Sequence, residues 1–136
     1  MKIFIGCSKH FYSFIPNIKT KLESKGHEII LPGSFEEPMA EERYKAMSKE
    51  EHIAWKGMMI AKHHPTILPV DAVLILNLEK NGKLNYIGGA TFLEVYKAWE
   101  LKKKIFFYNA LPYNIFTDEL IGMNPTVINQ DLSLIQ

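Results

Sequence analysis

The chain has 136 residues, enough for one ordinary domain and short for two. Hydrophobic residues make up 47% and charged residues 23%, which is close to the globular average and excludes a disordered or fibrous chain. The formal charge of +1 lacks the basic excess of a nucleic-acid-binding protein. No apolar run approaches the roughly 18 residues that span a bilayer, and the amino terminus does not resemble a signal peptide. The single Cys7 builds no disulfide framework, so we expect a cytoplasmic protein.

The first elements alternate between strand and helix. Ile3–Ile5 is continuously apolar and is followed by a glycine turn, which predicts a strand buried on both faces. A helix follows, with Ser13 as a candidate N-cap and Gly26 as its stop. The apolar face of this helix comprises Ile15, Ile18 and Leu22. A second strand is predicted at His27–Leu31.

The middle of the chain is more polar and predicts two helices. S-x-x-E capping boxes begin at Ser34 and Ser48, and the helices run over about Pro38–Met47 and Lys49–Lys62. Pro65 is expected to stop the second helix. Four methionines cluster here, either as core filling or as part of a dimer interface or an adaptable lid: Met39, Met47, Met58 and Met59.

The second half begins with the clearest strand in the chain, Val70–Asn77. A loop rich in Gly, Asn and Lys follows to Gly89, and a helix is predicted at Thr91–Lys103. The residues expected to point inward from this helix are Leu93, Tyr96 or Ala98, and Trp99. The remaining predicted elements are a strand at Ile105–Tyr108, a helical turn at Asp118–Ile121 and a last strand at Thr126–Ile128.

Strands that alternate with helices and are apolar throughout predict an α/β fold with a mostly parallel sheet of about five strands. We expect a single three-layer sandwich of the Rossmann or flavodoxin type. In such sheets ligands bind beyond the carboxyl ends of the strands, where the strand order reverses. Residues that directly follow the strands are therefore the first candidates for a functional site.

The loop between the clearest strand and its helix is the densest candidate. Gly88-Gly89, directly before a helix, allows backbone N–H groups to approach an anion, although the pattern equally fits a tight turn without a ligand. It is neither the dinucleotide fingerprint nor a P-loop. Asn77, Asn85 and Tyr86 carry polar groups that could contact a sugar or a base, or could serve only the turn.

Glu94 has two interpretations. As a carboxylate in the first turn of a helix at the mouth of the crevice, it could act as a nucleophile or a general base. Thr91-Phe92-Leu93-Glu94 is also a capping box, in which Thr91 would be the N-cap. Asp71 opens its strand instead of closing it, so we expect a structural role for this acid.

Cys7, Ser8 and His10 follow the first strand, and a Cys–His pair could supply a thiol nucleophile. A lone cysteine is more often a small buried apolar residue. None of the five histidines lies in H-E-x-x-H, and the adjacent His63-His64 cannot face one metal from a helix. We therefore predict no metal and no cofactor.

Three segments together resemble the nucleoside 2-deoxyribosyltransferase superfamily, which includes deoxynucleoside 5′-monophosphate N-hydrolases and nucleotide N-glycosidases. They are Ile5–Ser8, Asp71–Leu76 and Ala90–Glu94, the last followed by Ala98. The resemblance covers most of the chain and implies one domain of this type over residues 1–136, with a helical insertion at about 38–64.

The resemblance implies that Glu94 is the nucleophile that attacks the anomeric carbon of a nucleoside or nucleotide. It also implies a homodimer or a higher homo-oligomer, with a small molecule as the binding partner. The resemblance and the loop positions together predict these substrate-binding residues: Gly6, Ser8, Asn77, Asn85, Tyr86, Gly88, Gly89 and Thr91.

The chain also departs from the family pattern. Tyr96 stands where the family usually has glycine, and Phe4 stands where many members have an aromatic hydroxyl. These departures favour hydrolysis over deoxyribosyl transfer. They also leave open a nucleotide-binding or regulatory domain without turnover, and a purely structural domain in which Glu94 only caps its helix.

Overall fold

Five strands form one sheet in the computed structural model, which describes residues 1–136. The strands are β1 (Lys2–Gly6), β2 (Glu28–Ile30), β3 (Ala72–Ile75), β4 (Lys104–Phe107) and β5 (Thr126–Val127). Their order is β2-β1-β3-β4-β5, and all neighbouring pairs are parallel. This arrangement confirms the predicted α/β fold with a parallel sheet.

The strands form because their side chains are buried on both faces of the sheet. Successive residues of a strand point to opposite faces, so Ile3 and Ile5 enter one core while Phe4 enters the other. In β3, Leu74 lies in the first core, and Val73 in the second. Full burial of each such side chain stabilises the fold by roughly 1.5–3 kcal/mol. The continuous apolar runs in the sequence are explained by these two cores.

Six α-helices and two short 3₁₀ helices surround the sheet. The α-helices are α1 (Ile15–Glu23), α2 (Ala40–Met47), α3 (Lys49–Ala61), α4 (His63–Ile67), α5 (Gly89–Glu100) and α6 (Thr117–Met123). The 3₁₀ helices are Lys9–Phe14 and Leu132–Leu134. Helix α1 packs on the first core, whereas buried residues of α4, α5 and α6 belong to the second core. No helix combines the length and apolar character needed to span a membrane.

The structure corrects several predicted helix boundaries. Ser13 lies inside the first 3₁₀ helix, and α1 begins without a side-chain cap. The Ser34 hydroxyl bonds the Tyr12 hydroxyl at 2.8 Å and caps no helix. The predicted cap at Ser48 is present, because its Oγ accepts a hydrogen bond from the backbone N–H of Glu51 at 3.0 Å. Pro65 lies within the short α4.

The buried face of α5 agrees with the predicted one only at Ala98. The helix begins at Gly89, two residues before the predicted start, and Thr91 is not its N-cap. The large side chains of Leu93, Tyr96 and Trp99 are 37%, 43% and 48% exposed. The residues of α5 that are buried are Thr91, Glu94, Val95 and Ala98. A carboxylate therefore lies on the inner face of this helix.

Helices α2 and α3 form a helical hairpin, residues 40–61, that contributes little to the core. Ala40 is its only buried residue. The two helices contact each other directly. The rings of Tyr44 and Trp55 stack with 5.6 Å between their centroids, and Glu41 accepts a hydrogen bond from His52 at 2.9 Å. Three of the clustered methionines are largely exposed, so the expectation of core filling is wrong for them: Met39, Met47 and Met58.

Candidate active site

The strand order reverses at β1, which has β2 on one side and β3 on the other. A cavity of about 330 Å³ opens at the carboxyl ends of the strands beside this point. Cys7 and Ser8 enter its wall directly after β1, and Gly88 and Glu94 enter it from the start of α5. The helical hairpin forms the opposite wall. The position is the one that parallel sheets use for ligands, and the size lies within the range of small-molecule sites.

The carboxylate of Glu94 lies against the end of β1. A side chain at Gly6 would bring its Cβ within 3.2 Å of the Glu94 Oε1, and equally close to Ile75 and Phe4. Glycine at position 6 is therefore what allows the carboxylate to approach the strand. Glu94 is 8% exposed, and its exposed part faces the cavity.

Burial raises the pKa of Glu94 to about 8, and no charge or hydrogen bond contributes to this shift. The carboxyl group is therefore largely protonated in the free protein at neutral pH. A cap role would require the side chain to reach back to an N-cap at Thr91, but Gly88 is the N-cap and no side chain caps the helix. The capping-box interpretation of Glu94 is wrong. A cleft carboxyl with a strongly shifted pKa is a candidate functional group.

Two further titratable groups line the cavity near Glu94. Burial and, to a lesser extent, the charge of Glu94 raise the pKa of Cys7 to about 12, so this thiol is not a thiolate nucleophile. Burial likewise raises the pKa of Tyr12, whose hydroxyl pairs with Ser34 at the cavity wall. Both residues act here as neutral polar lining.

The start of α5 offers backbone donors to the cavity. Gly88 is the N-cap in an extended conformation, and Gly89, Ala90 and Thr91 form the first turn. N–H groups in a first turn have no acceptor within the helix, and the helix dipole favours an anion beside them. All four residues line the cavity. This turn is suited to an anionic group of a ligand.

Four lysines line the cavity, and two of them pair with glutamates of the hairpin. Lys9 forms an ion pair with Glu42, and Lys56 lies 3.2 Å from Glu41. Lys62 makes no salt bridge. The remaining lysine, Lys80, also lacks a carboxylate partner, and its Nζ lies 4.6 Å from the centroid of the Tyr86 ring. Lys62 and Lys80 therefore add positive charge to the cavity, whereas the charges of Lys9 and Lys56 are balanced by their glutamate partners.

Most of the predicted site residues meet at this cavity. Ser8, Gly88, Gly89, Thr91 and Glu94 line it, and Gly6 lies directly against the Glu94 carboxylate. Ser8 also begins the first 3₁₀ helix, where its Oγ accepts a hydrogen bond from the His10 N–H at 3.4 Å. No group of three or more His, Cys, Asp or Glu side chains is arranged to hold a metal ion.

Three other predicted substrate-binding residues lie outside the cavity lining. Asn77 is fully buried, and its amide bonds the backbone of Asn109 and Ala110, which ties the end of β3 to the segment after β4. Asn85 has a φ of 55°, a left-handed conformation typical of turns. The Tyr86 ring packs edge-on against the ring of the buried Phe11, with 6.4 Å between the ring centroids. These contacts are structural in character.

Asp71 lies at the opposite edge of the sheet from the cavity. Its Oδ2 accepts a hydrogen bond from the Lys2 N–H at 2.7 Å, and its backbone pairs with Lys2 and Lys104. The side chain therefore joins the starts of two neighbouring strands. It therefore cannot reach the cavity, which lies at the opposite ends of those strands.

The sequence analysis did not identify the cavity wall that lies opposite Gly88 and Gly89. Five residues of α2, α3 and their junction with α4 form much of it: Glu41, Trp55, Lys56, Met59 and Lys62. None of them belongs to a local motif, and only the fold of the hairpin brings them to the cavity. Their proximity could not be read from spacing along the chain.

Comparison with known proteins gives a likeness of fold. No family model matches the chain, and no curated protein matches it. A solved structure of the Clostridium botulinum CMP N-glycosidase BcmB matches with a TM-score of 0.52 and 14% sequence identity. The match covers 93% of this chain and 85% of that chain. A nucleotide N-glycosidase is therefore a structural neighbour, and at this identity the likeness establishes the fold alone.

Proposed function

We propose that this chain cleaves the N-glycosidic bond of a nucleotide and that Glu94 is the nucleophile. The observation that carries the proposal is the Glu94 carboxyl, buried on the inner face of α5, without an internal partner, and open to the cavity. An unpaired buried carboxyl lowers protein stability. A role in chemistry at the cavity explains why this cost is tolerated.

The proposed reaction has two steps. The ionised Glu94 carboxylate forms a bond to the anomeric carbon as the bond from that carbon to the base nitrogen breaks. The electron pair leaves with the base, which takes a proton from water. A water molecule then attacks the anomeric carbon of the glycosyl ester and gives a proton to the hydroxide left by the first step, so that the sugar phosphate is released and Glu94 returns as a carboxylate. Deoxyribosyl transfer would use the same ester, with a second base in place of water.

The cavity suits a substrate that carries a phosphate. The unpaired first-turn N–H groups of α5 favour an anion, and Lys62 and Lys80 add positive charge. Arg43, the only arginine, pairs with Glu37 at 2.8 Å and is not at the cavity. A phosphate would therefore rely on amides and lysines. The structural neighbour is described as acting on CMP, which is consistent with a nucleotide substrate.

The test is release of free base from a panel of nucleoside 5′-monophosphates and the matching nucleosides, followed by chromatography. We expect release from at least one monophosphate, with a loss of about a thousandfold or more in Glu94→Gln. Glu100→Gln is the matched control, because it makes the same change on the same helix at an exposed position. Undiminished release by Glu94→Gln would show that another group carries the chemistry.

A nucleotide-binding domain without turnover is the second candidate. The high pKa of Glu94 favours it, because only about a tenth of this carboxyl is ionised at pH 7. In that case a monophosphate would raise the melting temperature of the wild type and of Glu94→Gln alike, and the ligand would remain intact over hours. Steady base release would exclude this candidate.

A further inference from the structure

A tight β-turn in the loop before α5 presents Lys80 to the cavity. Lys80 and Lys83 exchange backbone hydrogen bonds at 3.0 and 2.9 Å, and the residues between them, Asn81 and Gly82, have φ values of 50° and 81°. Two positive φ values in succession are typical of a type I′ turn. Lys80 is half-buried and lines the cavity, whereas Lys83 is exposed and lies outside the lining. The turn therefore gives Lys80 a defined backbone position at the cavity wall.

Tyr86 connects Lys80 to the start of α5. The Lys80 Nζ lies 4.6 Å from the centroid of the Tyr86 ring, within the range of a cation–π contact. The hydroxyl of the same tyrosine lies 3.4 Å from the position that a Cβ on Gly88 would occupy. The backbone N–H of Tyr86 donates to the Leu78 carbonyl at 2.8 Å, which ties the tyrosine to its loop. Lys80 and the first turn of α5 are therefore neighbours on the cavity wall.

This part of the cavity wall carries a positive charge that no carboxylate balances. Slight burial and the charges of Lys80 and Lys9 lower the pKa of His10, so the three side chains lie near one another. Lys9 forms an ion pair with Glu42, whereas Lys80 makes no salt bridge. The other cavity lysine without a salt bridge, Lys62, follows α3 on the opposite wall. Lys80 is therefore the uncompensated cation beside the first turn of α5.

The spacing between the first turn of α5 and Glu94 suits a sugar phosphate. A helix N-terminus alone does not define a ligand site, but here the unpartnered Glu94 carboxyl, 8% exposed, opens into the same cavity. The Cα atoms of Gly89 and Glu94 are separated by about 7.5 Å along the helix axis, and the Glu94 side chain tilts back toward the N-terminus. The ribose of a nucleotide bridges a gap of this order between its anomeric carbon and its 5′-phosphate.

We propose that Lys80 determines substrate specificity by binding the 5′-phosphate together with the first-turn N–H groups of α5, so that the protein prefers nucleoside 5′-monophosphates to nucleosides. An ammonium group is a point charge that suits a phosphate oxygen. Tyr86 is a positioning residue, because it acts on the phosphate only through Lys80. The preference in base release rests on the proposed function, whereas binding of the phosphate requires no turnover.

The first experiment compares kcat/KM for base release from a nucleoside 5′-monophosphate and from the matching nucleoside. Lys80→Met should lower the value for the monophosphate about tenfold to a hundredfold, because a charged hydrogen bond to the phosphate is lost, and should change the value for the nucleoside less than about twofold. Lys83→Met is the matched control, because it makes the same change at the other end of the same turn. An equal fall with both substrates, or no fall with the monophosphate, would overturn the proposal.

A binding experiment separates failure of this inference from failure of the proposed function. Titration calorimetry of Glu94→Gln with AMP, GMP, CMP and UMP measures dissociation constants without turnover. Adding Lys80→Met should raise the dissociation constant of the tightest monophosphate about tenfold or more, and adding Lys83→Met should not. Binding that depends on Lys80 in a chain whose wild type releases no base would refute the proposed function and support the phosphate site. Binding that is independent of Lys80, or no binding of any of the four, would refute the phosphate site.

The positioning role of Tyr86 is tested by two substitutions. Tyr86→Phe keeps the ring beside the ammonium group and should leave the KM of the monophosphate within about twofold of the wild type. Tyr86→Leu removes the ring and should raise that KM about three- to tenfold, with kcat and the nucleoside reaction nearly unchanged. Far-ultraviolet circular dichroism establishes that both variants are folded. A loss in Tyr86→Leu that is equal for monophosphate and nucleoside would show that the tyrosine only supports the fold.

Discussion

Replacing Glu94 by glutamine should stabilise the protein while it removes the proposed nucleophile. The pKa of Glu94 rises from its ordinary value of 4.5 to about 8 on folding, because burial disfavours the charged form. The folded state therefore binds this proton more tightly than the unfolded chain does. The resulting stability is fully present below pH 4.5 and is lost as the pH rises through about 8.

The size of the effect follows from the two pKa values. Relative to a side chain that never ionises, Glu94 costs about 1 kcal/mol of unfolding free energy at pH 5 and about 3 kcal/mol at pH 7. The cost reaches about 5 kcal/mol at pH 9, where the folded protein must hold the buried charge. Glutamine has nearly the same shape and carries no charge, so Glu94→Gln should recover these amounts.

The assay is urea unfolding of the wild type and Glu94→Gln at pH 5, 7 and 9, followed by circular dichroism. The gain of the variant should increase at each step of pH. Glu100→Gln is the control, because a hydrogen bond from Lys97 lowers the pKa of Glu100, and its loss should not stabilise. If Glu94→Gln is less stable than the wild type at pH 7, or if its gain is independent of pH, the reasoning from burial is refuted.

Three further predictions concern Glu94, Gly6 and Asn77. The kcat/KM of base release should rise about tenfold between pH 6 and 7 and level off by pH 9, as Glu94 ionises; a flat profile would contradict a role for its charge. Gly6→Ala should lower stability by about 1–3 kcal/mol in urea unfolding, because its Cβ would press on three neighbours at 3.2 Å. Asn77→Ala should lower the free energy of unfolding by about 1–3 kcal/mol, because partly buried backbone groups of the segment after β4 lose their partner, and a neutral result would exclude this role.

The strands could be predicted because a sheet covered on both faces leaves a simple pattern. Ile3–Ile5, Ala72–Ile75 and Ile105–Phe107 are apolar at every position, and each lies where the sequence places a strand. The position of the cavity follows from the same rule, since ligands of parallel sheets bind where the strand order reverses. The fold class and the approximate place of the candidate site could therefore be predicted from the chain alone.

The inner face of α5 could not be predicted from hydrophobicity. Ranking side chains by size and apolar character turns Leu93 and Trp99 inward, yet the structure buries Thr91, Glu94 and Val95 instead. The reason is that the start of α5 covers a cavity as well as a core. Where a helix borders a cavity, polar side chains can be buried without a protein partner because they face the open space.

The helical hairpin shows a second limit of sequence reasoning. Its sequence indicates two helices whose methionines either fill a core or form an interface or a lid. The fold exposes Met47 and Met58 and places Trp55 and Met59 in the cavity wall. Periodicity identifies an apolar face without identifying what covers it. In α3 one side lines the cavity, and the opposite side, which carries Ile53, Met58 and Ile60, is exposed.

The elements that bury Glu94 and the elements that line the cavity in front of it contribute differently to the fold. The β1 end and α5 bury the carboxyl and raise its pKa, which costs stability that the two apolar cores must offset. The hairpin adds almost nothing to those cores, but it closes the space in front of the carboxyl. The parts of the chain that stabilise the fold and the parts that shape the cavity are thus largely separate, which allows the cavity wall to change in sequence without loss of the sheet.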